Sequence, residues 1–289
     1  MSLARRGLFR LIAGGLAAAG LAQVAPGAAR SAANGAATPT GRLRRWSMVI
    51  DLRKCDGCQS TGKPPQCTQA CIEGHFVPQP MEWIQLYEQP IGLEADRTQF
   101  LPAPCMQCQN PPCVNVCPVA ATFSTPEGPV LIDQQRCIGC RLCMEACPYD
   151  RRFFNWGDAP IPQQALFMDY DPEHQTPAIR GTVMKCDFCP DMARAGRMPY
   201  CVQGCPNGAI YYGDLEEDVA TNGFEVVKLS KFAADNNAYR LKEELGTEPR
   251  VRYIPGHGEL VGRDPRKKGR LPTVWPWQKL IEGAKTWTR

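Results

Sequence analysis

Histidine is nearly absent from this chain, with 3 among 289 residues against 16 cysteines. That ratio excludes a histidine-built metal protein, and because no CxxCH occurs, a covalently attached c-type haem is excluded as well. No apolar run is long enough to span a bilayer, since the run at residues 11–22 covers 12 residues and is diluted by Gly and Ala. Neither sign of charge dominates, with 33 basic against 29 acidic residues, which removes the case for a nucleic-acid partner. Four arginines (Arg5, Arg6, Arg10, Arg30) lie in the first 30 residues, so the remainder is close to neutral. No nucleophile–base pair or phosphate loop is recognisable. "GHGELVG" at residues 256–262 lacks the fingerprint spacing and a following helix, and reads as a loop. With 27 Pro and 26 Gly, many turns and short elements are expected.

What the chain has is cysteine in four groups of four, each opening with CxxC and closing with CxxxC. Group one is Cys55, Cys58, Cys67, Cys71; group two is Cys105, Cys108, Cys113, Cys117. Group three is Cys137, Cys140, Cys143, Cys147, and group four is Cys186, Cys189, Cys201, Cys205. Proline follows the last cysteine of groups two to four. Group three, "CIGCRLCMEACP", matches the bacterial ferredoxin run C-x2-C-x2-C-x3-C-P, in which three cysteines hold one [4Fe–4S] cluster and the fourth reaches another. The physical reason is reach: three thiolates on a tight loop cap one face of a cubane, and the proline then ends the turn and sends the chain away. Crossing neighbouring groups gives Cys105, Cys108, Cys113 with Cys147, and Cys137, Cys140, Cys143 with Cys117. The same crossing of the remaining groups gives Cys55, Cys58, Cys67 with Cys205, and Cys186, Cys189, Cys201 with Cys71. Group one is then half of a module split in sequence by insertion of another. Structural zinc also uses CxxC pairs, but does not account for three copies of CxxxCP or for four groups that each lend out a cysteine. Disulfides suit an even cysteine count, yet clustered CxxC spacings are a poor framework for bridges.

The first residues read as an export address. "ARRGLFRLIAGGLAAAGLA" resembles the twin-arginine pattern, with Arg5-Arg6 before Leu8-Phe9 and Arg10, an apolar stretch, and small residues at 27–29 suited to cleavage. That route carries folded cargo, which suits a metal cluster installed before export. Residues 46–52 read as a strand, 121–133 as a hairpin turning at Pro126-Glu127-Gly128, 208–214 as a strand, and 229–245 as a helix capped by Gly246. His75 is expected beside a site or on the surface, and Lys54, Arg136, Arg141 and Lys185 as solvated charges near cysteines. Residues 263–289 hold eight basic and two acidic residues with Trp275, Trp277 and Trp287, which suits docking to a partner near a membrane.

The cysteine pattern over residues 46–213, with "WSMVIDLRKCDGC", "RGTVMKCDFC" and "AYRLKEELGTEPRVRYIPG", resembles the four-cluster [4Fe–4S] electron-transfer subunits of the molybdopterin oxidoreductase superfamily. These are the beta subunits of the DMSO, polysulfide and tetrathionate reductase type, and the exported nitrite-reductase accessory type. Group one departs from the compact family spacing by inserting "QSTGKPPQ". The expected fold is α+β: two pseudo-symmetric bacterial-ferredoxin-like dicluster modules, one nested inside the other, with short β-hairpin inserts and a C-terminal extension, and with clusters standing in for a large apolar core. Residues 1–37 would be signal region and linker, 46–100 and 161–215 the two halves of the outer module, 101–160 the inner module, and 216–289 a helix/strand segment and the basic extension. The resemblance implies four [4Fe–4S] clusters, a molybdopterin catalytic partner, a polytopic quinone-reactive membrane subunit, and a periplasmic site reached through the Tat export machinery. The alternatives are the same relay serving multihaem cytochromes, or a structural zinc or assembly protein.

Overall fold

The computed structural model describes residues 43–91, 97–158 and 167–256. The expected signal region, the linker and the basic tryptophan-containing extension lie outside them, as does most of the 256–262 loop. In chain order the elements are β1 (Trp46–Asp51), α1 (Gln66–His75), β2 (Gln85–Ile91), β3 (Arg97–Ala103), α2 (Pro112–Asn115), β4 (Thr122–Ser124), β5 (Val130–Ile132) and α3 (Leu142–Glu145). They continue with β6 (Phe153–Phe154), β7 (Val183–Met184), α4 (Pro190–Arg194), α5 (Tyr200–Gln203), β8 (Ile210–Asp214), β9 (Val219–Thr221), β10 (Val226–Lys228), α6 (Leu229–Asp235) and β11 (Val251–Ile254). Short elements broken by turns are what this proline and glycine content favours, and the result is an α+β fold of ferredoxin-like character.

The main sheet runs β10-β9-β8-β1-β11. Strand β1 lies antiparallel to β8, with Ile50 opposite Ile210, and parallel to β11, with Met48 opposite Val251. It is buried on both faces, which explains a sequence, WSMVID, that is apolar almost throughout. Met48 and Ile50 face one core with Trp83, Met184, Phe188, Tyr212 and Tyr253, and Val49 faces a smaller one with Tyr211, Ala220, Leu229 and Ile254. Cys67, Cys71, Cys186 and Cys201 lie within the larger core. The cysteines are therefore embedded in a sizeable apolar core, where the sequence suggested that clusters would stand in for one.

Strands β4 and β5 form a hairpin with Thr122 opposite Ile132, closed by the Gly128 amide on Thr125 O at 3.0 Å. Glu127 in its turn accepts from Trp46 Nε1 and from Arg194, so this inner hairpin is fastened to β1 and to α4. The β2–β3 hairpin was not legible, because Pro90 and Pro102 interrupt both segments. The helix expected over 229–245 stops at Asp235. Asn237 turns left-handed at φ 51°, and the Tyr239 backbone leaves to pair with Tyr253. A 3₁₀ turn at Glu243–Leu245 follows, and it is this turn that Gly246, at φ 65°, closes.

Candidate metal centres

Three cysteines of group one and one of group four meet around a first cavity. Cys55, Cys58, Cys67 and Cys205 line it together with Gly57, Pro65, Leu86, Pro102 and Ile210. Cys55 and Cys58 come from the loop after β1, Cys67 from the first turn of α1, and Cys205 from the end of α5. Helices α1 and α5 approach closely because Gly204 has no side chain: a Cβ there would fall 2.6 Å from Ala70 Cβ and 2.8 Å from Gln66 O. Asp56 ties the distant segments together, accepting from the Cys58 amide at 2.8 Å and from Asn207 Nδ2 at 2.7 Å. Backbone amides point at sulfur, Gln66 N to Cys58 Sγ at 3.4 Å and Ala209 N to Cys205 Sγ at 3.3 Å. Burial pushes the Cys55 thiol up to about 11 and Cys67 to about 12, and the charges of neighbouring cysteines add to both.

Cys71, Cys186, Cys189 and Cys201 form a second set, all buried. Burial and then mutual repulsion raise Cys71, Cys189 and Cys201 well above the ordinary thiol value, with Cys71 feeling Cys186 and Cys201 most among the cysteines. Asp187 Oδ1 accepts from the Cys189 amide at 2.9 Å. This repeats the contact of Asp56 with Cys58, and both cysteines are left-handed, at φ 64° and 49°. CDGC and CDFC thus build the same turn, a shared signal that sequence reasoning passed over. His75 reaches this set: Nε2 lies 3.2 Å from Cys189 Sγ and Nδ1 3.3 Å from Asp187 Oδ2, the ring packed between Trp83 and Tyr200. The expectation of a solvated Lys185 is corrected. Strand β7 runs into the core and takes Lys185 with it to 0% exposure, where Nζ donates to Cys186 O at 2.7 Å. Lys54 is half-buried against Glu225 and Tyr211, whereas Arg136 and Arg141 are exposed.

Cys105, Cys108, Cys113 and Cys147 line a further space with Pro111, Pro112, Val130, Tyr149 and Arg152. Cys147 arrives from the end of α3, in group three. Burial pushes Cys108 up to about 12, with Cys105, Cys113 and Cys147 contributing, and Arg152 Nη2 donates to Cys113 Sγ at 3.0 Å. Arg152 was not anticipated from sequence.

In the fourth group Cys143 is buried and is raised by burial, with Cys137 and Cys117 adding to the shift. Cys117 goes the other way. Its modest burial is outweighed by the amides of Thr122, Val119 and Ala121, which hold its thiol below the ordinary value. Cys140 is the exposed one among the sixteen.

All sixteen thiols are free. Buried and half-buried sulfurs around one space suit a cationic inorganic core, because burial disfavours their thiolates and an iron core supplies the compensating charge. Fold and donor set together define an iron–sulfur protein of the [4Fe–4S] ferredoxin-like class. Residues 97–180 match the family model of the 4Fe-4S dicluster domain. The chain is 37% identical to a subunit of the selenate reductase of Mesobacillus selenatarsenatis over 73% of this chain and 72% of that protein. It is 38% identical to the iron–sulfur cluster-binding subunit of the menaquinone reductase of Nitratidesulfovibrio vulgaris, over 73% and 88% respectively. Its identity to a subunit of the tetrathionate reductase of Salmonella typhimurium is 36%, over 73% and 72%. The chain belongs to the family of iron–sulfur electron-transfer subunits of reductase complexes.

Proposed function

We propose that the chain carries four [4Fe–4S] clusters and relays single electrons between a molybdopterin catalytic subunit and a quinone-reactive membrane subunit, in the periplasm after twin-arginine export. The residues that would hold the clusters are the four crossed sets: Cys55, Cys58, Cys67, Cys205; Cys71, Cys186, Cys189, Cys201; Cys105, Cys108, Cys113, Cys147; and Cys117, Cys137, Cys140, Cys143. Such clusters supply reversible one-electron transfer. The protein's own residues insulate the sulfurs, direct amides at them and fix the charge around them.

The observation that carries this reading is the first space, where cysteines 138 residues apart in sequence, Cys67 and Cys205, line one cavity. A second space supports it in the same way, with Cys147 of group three among cysteines of group two. The order of the relay in this reading rests on packing: Cys67, Cys71, Cys186 and Cys201 share one core, Cys105 and Cys147 pack against it, and Cys113 packs with Cys137 against the cluster of Cys143. The end at the fourth set suits electron exit, since Cys140 is exposed there and Ile138, Leu142 and Trp156 are 64%, 51% and 67% exposed nearby in the chain. No helix among the described residues is long and apolar enough to cross a membrane, and in this reading attachment comes from a partner subunit.

The test is anaerobic purification of the full chain with iron, sulfide and zinc counted, followed by EPR after dithionite reduction. About sixteen irons with interacting S = ½ signals are expected for four adjacent [4Fe–4S] clusters. Zinc without sulfide would overturn the relay.

A further inference from the structure

Arg152 lies at the entry to β6 and is 2% exposed. A buried guanidinium cannot discharge itself and has to be compensated. Among the described residues Arg152 forms no ion pair with a carboxylate, and the anionic groups that act on it are Cys113, Cys143 and Cys105. Its fork is used on two sides, Nη2 donating to Cys113 Sγ at 3.0 Å and Nη1 to Thr122 Oγ1 at 3.1 Å. Thr122 thereby holds the guanidinium in place beside Cys113. Cys113 itself packs with Cys137 against the small cluster that contains Cys143. One buried cation therefore stands where two cysteine sets meet, touching Cys113 of one with Cys143 of the other close by.

We propose that Arg152 is a positioning residue that raises the reduction potential of the Cys105/Cys108/Cys113/Cys147 site and, more weakly, that of the neighbouring Cys117/Cys137/Cys140/Cys143 site. The proposal rests on the four-cluster reading. Reduction adds one electron to a site, moves no proton and breaks no bond. A fixed cation beside the thiolates offsets the added charge, most at the site it touches directly. Electrons on this segment of the chain are thus held by a charge that no change of pH removes.

The experiment uses the full-length chain, purified anaerobically, with iron and sulfide counted and midpoints read by EPR-monitored redox titration. The signal of the fourth set is assigned by its loss in Cys140→Ser. Arg152→Gln is expected to keep its iron and to lower the midpoint of the Cys113 site, the reduced-to-oxidised ratio at a fixed potential falling at least tenfold, which is about 59 mV for one electron. The neighbouring site should fall less, and Arg152→Lys, which keeps the charge, should restore most of the Gln shift. Unchanged midpoints at full iron would overturn the proposal, as would equal shifts for Lys and Gln, which would assign the effect to packing. Should Arg152→Gln lose iron, Thr122→Val decides, because it keeps the cation and removes the acceptor that holds it beside Cys113. A smaller fall at the Cys113 site supports the proposal, and no shift overturns it. Failure of the underlying reading looks different: the unmodified chain would then contain zinc or show no reducible signal.

Discussion

The second and fourth cysteine sets use the same residue in opposite surroundings. Cys71, Cys186, Cys189 and Cys201 are buried among Met184, Phe188 and Tyr212, and their thiols are driven far up by burial and by one another. Around Cys117, Cys137, Cys140 and Cys143 the sulfurs run from buried to exposed, and at Cys117 three backbone amides outweigh burial. In the deep set the thiolates are costly until a metal core compensates them, so site and core depend on each other. At the surface the backbone does that work in advance, and the site is closer to an attachment on a fold that stands without it.

That contrast can be broken most directly with matched serine substitutions. Cys201→Ser is expected to remove about four irons and to lower the anaerobic urea midpoint strongly, while Cys140→Ser removes no more iron and leaves the midpoint nearly unchanged. Equal midpoints would show that burial does not couple the deep set to folding. Cys147→Ser comes next: EPR should lose the signal of the Cys105/Cys108/Cys113 site and keep that of Cys137/Cys140/Cys143, and the reverse pattern would mean that the sets are not crossed. His75→Ala removes a buried ring that contacts Cys189 Sγ at 3.2 Å and lies 3.3 Å from Asp187 Oδ2. Stability should fall by about 1–3 kcal/mol in urea unfolding, with His75→Gln recovering part of it. The smallest effect belongs to the exposed end, where Arg141 stacks over Phe154 at 5.1 Å and Trp156 at 4.8 Å. Arg141→Ala should cost no more than about 1 kcal/mol and leave the iron count intact; a larger loss would make the surface set as interdependent as the deep one.

Much of the site was legible because spacing is a covalent constraint. CIGCRLCMEACP allows few loop geometries, and two spaces are lined by cysteines of different groups, Cys205 with group one and Cys147 with group two. Strand β1 and the β4–β5 hairpin were legible from apolar runs bounded by turn residues. What escaped was whatever depends on packing from elsewhere. Cys67 and Cys71 ride on α1, a ten-residue helix that the inserted loop before it disguised. Lys185 and Arg152 look like surface charges in a linear reading, since nothing local announces that β7 and β6 will carry them inward. The helix predicted to Leu245 failed because Tyr239 finds a better backbone partner in Tyr253 than in its own turn, and local propensity is a weak prior against such pairing.

Both neighbours of β1 come from the far end of the described chain: β8 at Ile210–Asp214 and β11 at Val251–Ile254. On a ribosome, groups two and three are complete once residue 147 has emerged, but the strand that opens the fold waits until residue 214 for its first partner and until residue 254 for its second, a long loop to close. Nascent chains therefore mature from the middle outward, and contacts of such sequence separation form slowly. A truncation between residues 215 and 250 keeps every cysteine but leaves β1 with a bare edge on its β11 side. One that falls before residue 210 removes β8 as well, and one before residue 186 leaves Cys55 to Cys71 without any group-four cysteine. Damage at the far end of the fold is thus met at the amino-terminal side, as an unpaired strand and loose thiols.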